Sequence, residues 1–251
     1  MERNIHILLI STLLLLGIGQ GGEIFLYPSP IGNFLLFERN IDQSITDWID
    51  RLSSITLLVS PFLYLATKRK AFLISLGSVL FFIALCTLLR GSKRNYEIAL
   101  FTQMARYIFP FALMLYFSKN ERGESWGLSL FRLSLGSTFI FHGYEAYIGE
   151  PQFVDYTLYF FKTLMQEKDA LLFLKVIGVI DIILGVLCFR IKNPWVFFYM
   201  AFWGLFTAFL RPYYHGLELG LLPMLLRAPH WGVPLLLAFK FYKLDTKNLK
   251  A

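Results

Sequence analysis

The side chains of this chain with chemical potential are ionisable groups set inside long apolar runs. Arg132 and His142 lie in one such run, Lys175 and Asp181 in the next, and Arg227 and His230 in the last. A charge at the centre of a bilayer costs about 2.5–3.5 kcal/mol on insertion scales, so groups of this kind are paired or functional. Counted along a helix, Arg132 and Asp181 fall six and eight residues from the same membrane boundary. That places them at nearly one depth, about 10 Å inside it, and predicts an ion pair between neighbouring antiparallel helices. His142, Lys175, Arg227 and His230 share a second layer in the other half of the bilayer, with Glu145 and an Arg211 and Glu218 pair around its mouth. The first half of the chain offers Gln20, Glu23, Arg90, Glu97, Gln103 and Arg106 at corresponding levels. Two readings stand: an outward-opening polar cavity that holds a ligand, or an ion-paired lid below the headgroups that binds nothing.

Other motifs carry less. Gly17-Ile-Gly19-Gln-Gly21-Gly22 resembles a dinucleotide fingerprint, but Pro28 and Pro30 follow where that motif needs a helix. Small residues here are expected to permit close helix packing. Cys86 and Cys188 are the only cysteines and form no C-x-x-C, which argues against dithiol exchange. The histidines His6, His142, His215 and His230 show no metal-ligand spacing, so no metal is expected.

The elements that must position these groups follow from composition. Of 251 residues 56% are hydrophobic and only 16% charged, with a mean hydropathy of +0.56, against about 25% charge in soluble domains. Apolar runs of roughly 17–25 residues read as spanning helices, because a backbone in lipid must satisfy its own hydrogen bonds. Eight are predicted, over 5–22, 52–67, 71–89, 98–117, 126–146, 170–189, 194–211 and 222–242. Two long outer loops separate the first and second, and the fifth and sixth, spans. In the second loop Phe153, Tyr156, Tyr159, Phe160 and Leu164 recur at helical spacing, which predicts an amphipathic helix on the outer surface. Pro110 should bend the fourth span, and Pro229 and Pro234 the eighth, as happens where backbone lines a cavity. Trp126, Trp195, Tyr213, Tyr214 and Trp231 sit at span ends, as an interfacial aromatic belt does.

The rarer polar residues also suggest a duplication. Gln20-Gly21-Gly22-Glu23 falls on His142-Gly143-Tyr144-Glu145 at an offset of 122, Arg90 and Glu97 fall on Arg211 and Glu218 after a one-residue shift, and Pro110 falls on Pro234. The expected organisation is a four-helix repeat over 1–119, an inner linker over 120–125 and a second four-helix repeat over 126–251. An even number of spans per repeat makes the two parallel, about an axis along the membrane normal. With both termini inside, the inner segments hold 12 basic residues, Lys119 and Lys250 among them, against nine outside. The positive-inside rule then gives an N-in, C-in multi-pass protein of the cytoplasmic membrane. The net charge of +7 is read as orientation and contact with membrane lipid, with no nucleic-acid partner.

Phe131-Arg132-Leu133-Ser134-Leu135-Gly136, Phe141-His142-Gly143-Tyr144-Glu145-Ala146 and Glu150-Pro151-Gln152-Phe153-Val154-Asp155 resemble the first helix and following loop of DoxX-like integral membrane proteins. Val179-Ile180-Asp181-Ile182-Ile183-Leu184-Gly185 resembles their second helix, with its acidic residue before a glycine. The first half matches weakly: Ile10 stands for Arg132, Gln20 for His142 and Val59 for Asp181. The resemblance implies a four-helix unit and a place in a quinone-linked membrane redox system with redox or other membrane partners. Quinone is the cofactor it implies, with His142 as proton acceptor or hydrogen-bond partner to a quinone carbonyl. The residues alone leave two alternatives: a carrier or binder of a small anion or lipid, and a structural membrane subunit without catalysis.

Overall fold

The computed structural model describes residues 2–90, 96–118 and 120–248; Lys119 and Lys250 of the basic tally lie outside them. The α-helices are α1 Glu2–Leu26, α2 Pro30–Glu38, α3 Gln43–Thr67, α4 Ala71–Arg90, α5 Ala99–Thr102, α6 Met104–Tyr116, α7 Glu121–Tyr147, α8 Pro151–Phe161, α9 Glu167–Cys188, α10 Pro194–Leu225 and α11 Ala228–Asn248. The structure is 89% helical, with no strand among the described residues. Segments 2–38, 43–67, 71–90, 96–116 and 167–188 are long and apolar enough to cross a membrane, and α10 with α11, a pair bent by 52°, adds a sixth candidate. The chain is therefore an all-α protein with five to six candidate membrane spans. Helix α7 is as long as these, but Arg132, His142 and several Gly, Ser and Thr residues dilute its apolar content.

The exterior carries the same signature. On α9, Leu172, Val176, Val179, Ile183 and Val186 are exposed and recur at helical spacing, so the outward stripe, flanked by the exposed Lys175, is chiefly apolar where a water-facing helix would be polar. One apolar core joins both halves, with Leu9, Leu13 and Leu16 of α1, Phe109 and Leu113 of α6, Phe131 and Leu135 of α7, and Leu236 and Leu237 of α11. At the end of the bundle away from the cavities described below, Lys240 pairs with Glu124 at 2.5 Å and Lys243 with Glu2 at 2.8 Å.

Glycine sets the closest helix contacts. Gly136 lies against Gly185 and Gly143 against Gly178, so α7 and α9 cross with backbone on backbone. In α1, Gly17 and Gly21 face α3, while Gly19 and Gly22 face residues 222–226. The Gly17–Gly22 stretch thus packs helices, as expected. Local signals start the helices: Ser29 caps α2 ahead of Pro30, Asp42 caps α3, and Asn193 caps α10 ahead of Pro194.

The interval 212–221, expected as an outer loop, is helical except at Gly216. Its φ of 79° and ψ of 164° lie in a region essentially reserved for glycine, and the chain doubles back there so that Gly220 packs on Arg211 and Pro212. The last helical run therefore begins near Leu217 and breaks at Leu226 and Arg227 before α11. A comparable break at Gln103 separates α5 from α6. Pro110 lies within α6, past that break.

Candidate functional site

A polar cavity of about 650 Å³ lies between the two halves of the chain. From the first half it takes Gln20 and Glu23 of α1, Arg90 of α4, Gln103 at the break before α6, and Arg106. From the second it takes His142 and Glu145 of α7, Glu150 and Gln152 by α8, Arg211 of α10 and Arg227 at the break before α11. Both broken helices thus open at this wall; at the start of α6 the Ala105 amide donates to the Thr138 hydroxyl, and at the start of α11 the His230 amide donates to Arg227 O. Helix N-termini carry partial positive charge.

Four guanidiniums face three carboxylates across this space. His142 donates from Nδ1 to Glu145 at 2.7 Å, and Gln20 donates to Glu23 at 3.4 Å. The Nε atoms of Arg106, Arg211 and Arg227 are buried without a hydrogen-bond partner, although a buried N–H on a charged group is costly to leave unpaired. Arg211 also lies over the Tyr156 ring, 5.8 Å from its centre. What this arrangement can do is bind negative charge: planar guanidinium forks match carboxylate and phosphate oxygens.

A second cavity of about 280 Å³ adjoins the first and shares His142, Phe153 and Arg227 with it. Its walls are chiefly aromatic and aliphatic, from Phe139 of α7, Phe160 of α8, Ile177 of α9, and Phe206 and Leu210 of α10. Asp181 lies in its lining and accepts from Trp203 Nε1 at 3.1 Å; its Oδ1 has no partner. His230 stands with its ring 5.8 Å from that of His142, and both its nitrogens, like Nε2 of His142, are unpartnered.

The expected residues separate into two sets. His142, Glu145, Arg211, Arg227, Glu23, Arg90 and Arg106 line the polar cavity, and Asp181 and His230 the apolar one. Arg132 lines neither, and its ion pair with Asp181 does not form. Arg132 donates to the carbonyls of Cys188 at 2.8 Å and Ile191 at 3.3 Å, so it binds the C-terminal end of α9. The glycine contacts set this register: Gly143 lies beside Asp181 and Gly136 beside Gly185, which puts Arg132 about two turns from Asp181. Counting from apolar boundaries misjudged that depth because α7 begins at Glu121, well before its apolar run. Glu218 and Glu97 are exposed and line neither cavity; Glu218 sits just beyond the Gly216 reversal and Glu97 in a short 3₁₀ turn. Lys175 is likewise exposed.

Trp203 belongs to the site but carried no signal in the sequence, since one more aromatic is not distinctive; Glu150 and Gln152, in the stretch that carries the family resemblance, line the polar cavity. The expected amphipathic helix is present as α8, and it does more than cover the bundle: Phe153, Tyr156 and Phe160 line the apolar cavity. Among the described residues no three His, Cys, Asp or Glu side chains gather as a metal site would require. No protein-family model, curated protein or solved structure matches the chain.

Proposed function

We propose that this is a DoxX-like protein of the cytoplasmic membrane that binds an anionic ligand in a cavity open to the outer side, formed where two parallel four-helix repeats meet. The observation that carries the anion reading is the set of three guanidiniums, Arg106, Arg211 and Arg227, each with a buried unpartnered Nε on one cavity. Eight spans follow if α7 crosses and the chain reversal at Gly216 separates two further spans. The duplication is supported by element order, since a long helix, a short helix begun by proline and further long helices occur twice. Matched residues also meet: Gln20 and His142, Glu23 and Glu145, and Arg90 and Arg211 all line the same cavity. Basic side chains at the opposite end, including Lys68, Lys70, Arg190 and Lys192, support N-in, C-in placement.

A quinone-linked role is the second reading, favoured by the unpartnered nitrogens of His142 and His230 beside an aromatic chamber. Neutral histidine suits a quinone carbonyl, but three guanidiniums do not require one. Mass analysis of small molecules carried in native-membrane nanodiscs, for the wild type, Arg227→Met and His142→Ala, separates the readings. An acidic molecule in stoichiometric amount, lost in Arg227→Met, is the expected result. A quinone lost in His142→Ala moves the assignment to redox. Bulk lipid unchanged by either variant moves it to a structural subunit that acts through partner proteins.

A further inference from the structure

Resting on the anion-binding reading, we infer that the ligand is an amphiphile drawn from the bilayer, its acidic head among Arg106, Arg211 and Arg227 and its hydrocarbon tail in the aromatic chamber. Three observations carry this. The two cavities share His142, Phe153 and Arg227, so a head group held by Arg227 stands at the threshold of apolar space. A small inorganic anion would leave about 280 Å³ of that space without a purpose, in a fold that elsewhere packs backbone on backbone.

The chamber also occupies a lateral gap. Helices α7 and α9 pack closely, as do α10 and α11, whereas α9 and α10 touch sparsely along their length. The chamber lies between those two, with Ile177 on one side and Phe206 and Leu210 on the other. Its lining residues Phe160 and Phe202 are 39% and 65% exposed, so the chamber reaches the protein's apolar exterior. A ligand from the membrane can enter there sideways, while its head passes into the polar cavity and remains hydrated.

The chamber's walls, finally, are chiefly rings and branched aliphatics, and two of its polar groups are engaged: the Thr207 hydroxyl donates to Gly204 O at 3.2 Å and one Asp181 oxygen accepts from Trp203, while the other Asp181 oxygen and the His230 nitrogens have no partner. The site therefore has two ends with different chemistry: forks for an acid at one, rings and branched aliphatics for a chain at the other.

The test is a calorimetric titration of the full chain in amphipol with inorganic, methyl, butyl and hexyl phosphate, which keep the head and lengthen the tail. Burial of each methylene is worth about fourfold in affinity, so hexyl phosphate should bind on the order of a thousandfold tighter than methyl phosphate. Thr207→Phe, which fills the chamber, should flatten the series, while Leu172→Phe, on the lipid-facing stripe, should leave it steep. Monodisperse elution and unchanged helical circular dichroism verify that both variants fold. A flat series, with inorganic phosphate as tight as hexyl phosphate, overturns the amphiphile and leaves the anion reading intact. A steep series that Thr207→Phe does not flatten overturns placement of the tail in this chamber. No binding of any phosphate overturns the anion reading together with the inference built on it.

Discussion

Replacing Gly143 by alanine would test the helix crossing that holds half of the site. A Cβ there would stand 2.6 Å from the carbonyl oxygen of Gly178, 2.9 Å from the amide nitrogen of Ile182 and 3.0 Å from Cβ of Asp181. The first of these is about 0.8 Å short of the 3.4 Å at which ordinary contact begins. The two nearest atoms belong to backbone, so relief requires α7 to move away from α9. Overpacking of this kind costs about 1–3 kcal/mol, and alanine returns up to about 1 kcal/mol through helix propensity. Because both clashing atoms are backbone, the upper end of that cost applies and the expected net loss is about 2 kcal/mol, measurable by equilibrium unfolding in mixed micelles. Gly178→Ala should cost a similar amount. The double variant should lose less than the two together, because one widening of the crossing relieves both contacts. Gly22→Ala is the comparison: its Cβ would meet only the flexible tip of Leu222, so its cost should be near zero. Equal stability of Gly143→Ala and the wild type would refute the close crossing, and with it the register that places His142 and Glu145.

A double-mutant cycle of Arg132→Met and Asp181→Asn should give a coupling within about 0.5 kcal/mol of zero, since Arg132 binds the carbonyls of Cys188 and Ile191; a coupling above 1 kcal/mol would restore the ion pair. Asp42, in the turn before α3, accepts from the hydroxyl and then the amide of Ser44, and these bonds hold its carboxyl below the ordinary value. Its contribution is complete above the unfolded carboxylate pKa of about 3.9 and fades as pH falls through the lower folded value. Amide protection at Ser44 should therefore decline only in that acidic window, and Asp42→Ala should abolish the decline. Single cysteines placed by Asn40→Cys and Lys70→Cys in a background lacking Cys86 and Cys188 should be labelled in intact cells only at position 40; the reverse pattern would invert the proposed orientation.

How much of this was legible depended on whether a residue's neighbours are set by local or distant chain. The apolar runs of α3, α4 and α9 announced themselves, because lipid imposes length and composition on a single segment. The proline-marked break before α11 was visible for the same local reason, and it does open on the cavity through Arg227. His142, Glu145, Arg211 and Arg227, grouped from their positions along the helices, line one cavity. The level of Arg132 relative to Asp181 was not legible, because Gly136, Gly143, Gly178 and Gly185 set how α7 slides along α9, and no single-segment pattern encodes that offset. The reversal at Gly216 was hidden too: one glycine among apolar residues reads equally as loop or helix, and only its positive φ decides. The aromatic chamber draws Phe139, Ile177 and Phe206 from three helices, whose residue types are those of any core.

Anion binding between the two halves requires Arg106, Arg211 and Arg227 to act as one site. Calorimetric titration of inorganic phosphate into the wild type and into Arg106→Met, Arg211→Met, Arg227→Met and Lys175→Met tests it most directly. Charge-assisted hydrogen bonds are worth about 1.5–3 kcal/mol each, so each arginine variant should weaken binding by about 10- to 150-fold, while exposed Lys175→Met should bind as the wild type does. Arginine variants that bind phosphate as the wild type does, or a loss in Lys175→Met equal to theirs, would contradict that single site.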